Sequence, residues 1–357
     1  MLQTAVLNSN GINKDNESLQ KNTMINWKEI DTLIKDANRI VMTTHIHPDG
    51  DGLGSSIAMM RHLIEEGKDC RIYIASEFPE EYHFLDRDES VRMYASSSDD
   101  EWIKEADLAL IFDVGDFMRM KMIGEVLMSN DIPMVNIDHH PIQKDSPFLI
   151  NAIETSVAAT GELVYEYLLS FRKAPLTIEI WEGLYTSVLT DTGSFAYSNT
   201  TVMCHKIAIE AIRAGINTAK IHQDVYESRP IEKMKLLSKV IDNVELDCGG
   251  ELAWFTVDET MVESAGAEKK HVDGFTDVVR KIKGVEVAVM IFENEKSCRV
   301  NFRSKGKYIV NGIALELGGG GHQLACGAVV KGTVDEVLPK VLDLTKAELA
   351  SQKEKEA

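Results

Sequence analysis

Residues 45 to 51 read His-Ile-His-Pro-Asp-Gly-Asp and follow directly on the apolar run RIVMTT. A glycine-rich turn in that place ordinarily offers backbone N–H groups to a phosphate, and acids there would repel it. The spacing Gly50-x-Gly52-x-Gly54 matches neither the dinucleotide fingerprint nor the P-loop. Similar chemistry recurs at Asp113 in IFDVGD, at Asp138-His139-His140 in IDHHP, and at Asp191 in LTDTGSF, each after an apolar run. That many like charges converging on one place would repel one another unless a cation held them. Mixed Asp and His donors suit Mn²⁺ best, with Mg²⁺ the harder, more oxygen-demanding alternative. Two ions about 3.5–4 Å apart would take roughly six protein ligands, one carboxylate bridging, and would poise a hydroxide for in-line attack on phosphorus.

Such residues must be carried to one edge by regular elements. RIVMTT, CRIYIAS, LALIFD and PMVNID read as strands separated by stretches long enough for helices, the alternation of a mostly parallel sheet with helices on its faces. Leu53, Ile57, Met60 and Ile64 recur at helical spacing up to Gly67, which caps that helix. In an open parallel sheet, functional groups gather at the carboxyl ends of the strands. The first strand is expected to end on His45, with Asp49 and Asp51 in the loop beyond it; later strands end on Asp113 and on Asp138-His139-His140. Helices are expected at 161–171, 177–190, 203–214 and 231–244, and Asp191 falls in the turn with Gly193. After DCGG at 247–250 the strand pattern resumes with ELAWFTV, VEVAVMIFE and SCRVNFRSK. The expected organisation is a leader at 1–23, a first α/β domain at 24–228, a linker at 229–250, a smaller α/β domain at 251–348 and a charged tail at 349–357. The stretch KAELASQKEKEA reads as a charged helical end or tail, and neither it nor the leader is expected to contribute to a core.

Composition narrows the class. The chain has 357 residues, 44% of them hydrophobic, enough for more than one buried core. Its formal charge of −19 argues against coating long nucleic acid by counterion release, but not against a small anionic substrate. Charge is uneven: residues 268–310 hold ten Lys or Arg against six Asp or Glu, a local basic stretch. The five cysteines are scattered with no CxxC pair, which fits reduced thiols in a cytoplasm. No run of about 18 apolar residues and no secretory leader is visible, so no membrane association is expected.

Taken in order, HIHPDGDGLGS, IFDVGD, IDHHP, LTDTGSF, FRSKG and GGGGHQLACGA resemble the Asp-His-His phosphoesterase superfamily. The resemblance is to its two-domain branch with the DHH-associated domain, and covers roughly residues 35 to 345. That branch includes oligoribonuclease/adenosine-bisphosphate phosphatases and standalone cyclic-dinucleotide phosphodiesterases. Carried over residue by residue, the resemblance implies that His45 and Asp49 hold one metal, that Asp51, His139 and Asp191 hold the other, and that Asp113 bridges them. It implies that His140 contacts the scissile phosphate as stabiliser or proton donor, with Asp138 orienting the histidine pair. His47 departs from the usual pattern and adds a spare imidazole.

In the second domain Arg303, Ser304 and Lys305 of FRSKG, with Gly319, Gly320, Gly321 and His322, are expected to bind a substrate phosphate, Arg303 and His322 by charge-assisted contacts. Cys326 is expected to pack as a small residue. Each motif has a plainer reading: a helix-capping Asp, a flexible glycine turn, an exposed basic strand end. The set together favours an enzyme whose active site lies in a cleft between two lobes. The implied cofactors are two divalent ions, Mn²⁺ preferred, with Mg²⁺ or Co²⁺ as alternatives. The implied substrates are short RNA oligonucleotides and small nucleotides, adenosine 3′,5′-bisphosphate among them, with no long duplex; a homodimer is a further implication. Linear or cyclic diadenylate is the alternative substrate. Inorganic pyrophosphatase and a nucleotide-binding module without turnover stand behind it.

Overall fold

A computed structural model of the chain describes residues 25–95, 98–141 and 146–356. The leader expected at 1–23 lies outside the described residues. The chain divides between Ser228 and Arg229 into two compact units.

The first unit runs α1 (Trp27–Asp36), β1 (Arg39–Thr43), α2 (Gly50–Glu65), β2 (Asp69–Ile74), β3 (Val91–Met93), α3 (Ser98–Lys104), β4 (Leu108–Phe112), α4 (Met122–Ser129), β5 (Met134–Asp138), β6 (Ile150–Ile153), α5 (Thr160–Phe171), α6 (Ile178–Asp191), α7 (Val202–Ala214) and α8 (Thr218–Tyr226). Its six strands lie in the order β3-β2-β1-β4-β5-β6, and every pairing is parallel. β4 and β5 are buried along their whole length, as strands covered on both faces must be. One face buries Ile40, Met42, Leu110 and Phe112 against α2, α5 and α6; the other buries Val41, Tyr73, Ala109 and Ile111 against α3 and α4. The strand order reverses between β1 and β4, so the crevice at their carboxyl ends is the natural ligand position of a doubly wound sheet.

The second unit runs α9 (Ile231–Asp242), β7 (Glu245–Asp247), β8 (Leu252–Val257), α10 (Glu259–Ala265), α11 (Phe275–Val279), β9 (Val287–Asn294), β10 (Ser297–Ser304), α12 (Asn311–Glu316), β11 (Gly320–Gly321), β12 (Ala325–Lys331) and α13 (Val334–Glu356). Its sheet has the order β11-β12-β10-β9-β8-β7, antiparallel except between β8 and β9. Among the described residues no helix is long and apolar enough to cross a membrane.

Several expectations need correcting. β1 stops at Thr43 rather than at His45, because the chain leaves the sheet there and the Ile46 N–H donates to the Arg119 carbonyl instead of to a strand. The helix expected at 231–244 is present as α9, but it is no linker: its Leu236 and Val240, four residues apart, are buried against Phe255 and Phe275 in the second unit. KAELASQKEKEA is no separate tail: α13 continues through it, Leu349 is only 2% exposed in the core, and the Gln352 side chain bonds both the Ile309 N–H and its carbonyl. Those residues look polar because helical spacing scatters one apolar side chain among many charged ones.

Candidate metal centre

β1, β4 and β5 are neighbours, and the loops beyond their carboxyl ends carry His45, Asp113 and the pair His139-His140 to one place. Asp113 leaves β4 with φ of +59°, a conformation that L side chains rarely adopt and that costs on the order of 1–3 kcal/mol. Its amide donates to the Ile137 carbonyl of the adjacent strand.

Asp49 caps α2: its Oδ1 accepts from the Asp51 N–H at 3.1 Å and the Gly52 N–H at 3.2 Å. Its Oδ2 lies 3.6 Å from His45 Nε2. Asp51 is fully buried in the first turn of α2. Asp191 is the last residue of α6 rather than part of the turn beyond it.

The acids and imidazoles sort into two groups around one carboxylate. Asp113 Oδ2 is 3.3 Å from His45 Nε2, and Asp113 Oδ1 is 3.6 Å from His139 Nε2 and 3.2 Å from His140 Nδ1. On one side, ligand atoms of His45, Asp49 and Asp113 lie within 4.8 Å of one another; on the other, so do those of Asp51, His139 and Asp191. His139 Nε2 is 3.6 Å from Asp51 Oδ2 and 3.3 Å from Asp191 Oδ2. His140 is held by Asp138, whose Oδ1 is 2.7 Å from its Nδ1 and accepts its backbone N–H at 3.1 Å. His47 is exposed and joins none of these groups.

These residues suit divalent cations. Asp138 Oδ2 is a buried carboxylate oxygen with no hydrogen-bond partner among the described residues, and buried Asp113 Oδ1 has only imidazole nitrogens beside it, an arrangement that is costly unless a cation supplies further interaction. Burial opposes a charge on each imidazole, yet hydrogen bonds with Asp113 and the neighbouring acids outweigh it. They lift His45 to about 10, His139 to about 11 and His140 to about 10. Asp113 is held well below the usual carboxylate range: burial would raise it, but the three imidazoles prevail. Burial, then the Asp113 charge, pushes Asp51 up to about 7, and burial with the Asp51 charge pushes Asp191 well above the ordinary value.

Sequence reading missed the groups that hold these side chains. Asp51 accepts from the Thr160 N–H at 2.8 Å and the Gly161 N–H at 3.2 Å, at the positive end of α5, and from the hydroxyls of Ser55 and Ser187. Ser55 was legible, being one helical turn from Asp51; Ser187 and α5 are more than 100 residues distant in sequence and were not. Arg119 also reaches the site: its Nη2 is 2.9 Å from His45 Nδ1.

The residues expected to bind substrate in the second unit form their own group. Arg303 stands on β10, with its Nε 3.4 Å from Asp277 Oδ2. Ser304 is fully buried, its Oγ accepts the Gly306 N–H, and its own N–H donates to the Leu324 carbonyl beside His322. Lys305 donates to the Ile282 carbonyl. In the glycine run, a Cβ on Gly319 would lie 2.1 Å from the Gly327 carbonyl oxygen and one on Gly321 2.7 Å from the Cys326 Cα, so both serve the close pairing with β12; Gly320 faces open space. Cys326 is buried, and burial pushes its thiol up to about 12.

Comparison with known proteins bears on this arrangement. Residues 39–188 match the DHH family, N-terminal domain, and residues 254–351 match the DHHA1 domain. The chain is 32% identical over 311 residues to the bifunctional oligoribonuclease and PAP phosphatase NrnA of Thermus thermophilus, covering 87% of this chain and 90% of that one. It is 27% identical to the protein of the same name from Bacillus subtilis, covering 82% and 89%. Among solved structures, an exopolyphosphatase-related protein from Bacteroides fragilis shares the fold with a TM-score of 0.84 at 24% identity, covering 91% and 96%.

Proposed function

The chain belongs to the DHH family, and from that we propose that it is a metal-dependent phosphoesterase that hydrolyses short oligoribonucleotides to mononucleotides and adenosine 3′,5′-bisphosphate to AMP. The observation that carries the reading is the single buried carboxylate of Asp113, which turns one oxygen to each of two Asp/His groups. His45, Asp49 and Asp113 would hold one divalent ion, and Asp51, His139 and Asp191, with Asp113, would hold the other. Mn²⁺ is the preferred ion for this mixture of imidazole and carboxylate donors. Bound there, the ions supply the positive charge that activates water and neutralises the phosphoryl group. Asp138 holds His140 through Nδ1, so that His140 can give a proton to the leaving oxygen. In the second unit Arg303, Lys305, the backbone at Gly319, Gly320 and Gly321, and His322 would bind a substrate phosphate, whereas Ser304, fully buried, would support the strand end rather than touch the phosphate. The reaction belongs in the cytoplasm, consistent with five unpaired cysteines.

The test is turnover with Mn²⁺ on a 5′-phosphorylated diribonucleotide, a longer RNA, adenosine 3′,5′-bisphosphate, cyclic diadenylate and pyrophosphate. Rapid cleavage of the first and third supports the assignment. Preference for the cyclic compound transfers the same residues to a cyclic-dinucleotide phosphodiesterase. Failure to hydrolyse any phosphoester, including bis(p-nitrophenyl) phosphate, removes the enzyme reading.

Two further outcomes follow from the same residues. Ions must displace protons from His45 and His139, which are raised to about 10 and about 11 and so are protonated at neutral pH. Mn²⁺ binding therefore releases protons and tightens as pH rises from about 7 to about 8.5. Calorimetry in two buffers of different ionisation heat measures this, and binding with no proton release would contradict it. Arg303→Ala raises KM for the diribonucleotide by about tenfold or more and leaves KM for bis(p-nitrophenyl) phosphate unchanged. An equal effect on both substrates would take Arg303 out of substrate binding.

A further inference from the structure

At the proposed metal centre stands a cation that pairs with no acid among the described residues. Arg119 lies in the 3₁₀ turn Phe117–Met120 that follows β4. Asp116 caps the turn by accepting the Met118 N–H at 2.9 Å, and the Arg119 carbonyl accepts the Ile46 N–H at 2.8 Å. The turn after β4 is thereby tied to the loop after β1, and the Arg119 side chain is delivered to His45. Asp49 and Asp113, the carboxylates nearest to His45, lie on its Nε2 side, whereas Arg119 approaches Nδ1. Among the described residues no carboxylate is within ion-pair distance of the Arg119 guanidinium, although five aspartates surround the site.

His45 does not satisfy it either. Its Nδ1 is also 2.9 Å from the Ile46 carbonyl oxygen, an acceptor that calls for an N–H on Nδ1. A guanidinium has five donors and no acceptor, so Arg119 Nη2 faces another donor. The conflict persists when Nε2 holds an ion, because a ring that gives the Nε2 lone pair to a cation keeps its proton on Nδ1. The planar donor fork is thus held at the centre through a turn fixed by backbone contacts, half-buried and with no carboxylate to engage it among the described residues.

We propose that Arg119 is a phosphoryl-binding residue at the metal centre, taking non-bridging oxygens of the scissile phosphate in its guanidinium fork. This rests on the phosphoesterase reading and deepens it. A phosphate supplies the planar pair of acceptor oxygens that Arg matches and that nothing in the described site provides. Arg119 meets the reacting phosphate itself, so it serves every phosphoester alike, unlike Arg303.

The experiment compares Arg119→Ala and Arg119→Lys with the wild type in three measurements: turnover of the diribonucleotide and of bis(p-nitrophenyl) phosphate, inhibition by inorganic phosphate, and Mn²⁺ affinity by calorimetry without substrate. In Arg119→Ala, kcat/KM falls about 100-fold on both substrates and phosphate inhibition weakens by about tenfold or more, while Mn²⁺ affinity stays within about threefold. Lys restores part of the loss, having the charge without the fork. Two results overturn the inference: turnover in Arg119→Ala within about threefold of wild type, or Mn²⁺ affinity falling as far as kcat/KM, which would make Arg119 a support for His45 alone. Failure of the phosphoesterase reading shows in the wild type; failure of this inference shows only in the variants.

Discussion

Asp113→Ala is expected to lower kcat on the diribonucleotide by about 1,000-fold or more, about 4 kcal/mol of transition-state stabilisation. The size follows from position. Each oxygen of this carboxylate faces a different group of acids and imidazoles, so one substitution would damage both proposed ion sites, whereas loss of Asp49 or Asp191 would damage one. The three imidazoles that now lean on Asp113 would lose their shared counter-charge. Calorimetry should show Mn²⁺ binding weakened at both sites. Turnover within about tenfold of wild type, with two ions still bound, would refute the shared-carboxylate arrangement.

The second large effect is on stability. Gly54→Ala is expected to destabilise the first unit by about 2–3 kcal/mol, because α2 and α6 meet backbone to backbone at this point. A Cβ on Gly54 would lie 2.3 Å from the Gly183 carbonyl oxygen and 3.2 Å from the Ser187 amide nitrogen, neither of which can swing aside. The damage would reach the site, since α2 carries Asp51 while α6 carries Asp191 and the Ser187 hydroxyl that holds Asp51. Urea unfolding measures the loss. Gly312→Ala is the control: its Cβ would meet nothing within 4 Å and its helix tolerates it, so stability should hold or rise by about 0.5 kcal/mol. Equal effects of the two substitutions would show that the contact between α2 and α6 is not the cause.

The contact explains one of the glycines that opened the sequence question, while Gly52 is small because a Cβ there would lie 2.1 Å from the Thr44 hydroxyl oxygen. Gly54 is small so that two helices can touch, and acids are tolerated beside it because the turn is not a phosphate cradle.

Much of the candidate site was legible in the sequence because its Asp and His residues lie at the ends of strongly apolar runs. LALIF and MVNID are short apolar runs bounded by turn residues, which favours buried strands, and the polar residues after or at their ends, Asp113 and Asp138-His139-His140, then emerge at the carboxyl end of the sheet. The helices over 160–171 and 178–191 were readable for the same reason, since their apolar periodicity is long and regular. Short elements were not: β3, β6 and β11 have between two and four residues, too few for a period to show.

Sequence alone therefore determined which side chains could do the chemistry and that parallel strands would present them, since burial pattern and residue type are local properties of the chain. The tertiary structure decided how they meet. It set β1 beside β4 at the reversal of strand order, turned Asp113 to +59° between two groups of ligands, and brought the N-terminus of α5 and Ser187 to Asp51. It also placed Arg119, whose neighbours in sequence give no hint of His45. Distances across a sheet depend on strand order and register, and those are fixed by packing among residues far apart in the chain, which no local pattern records.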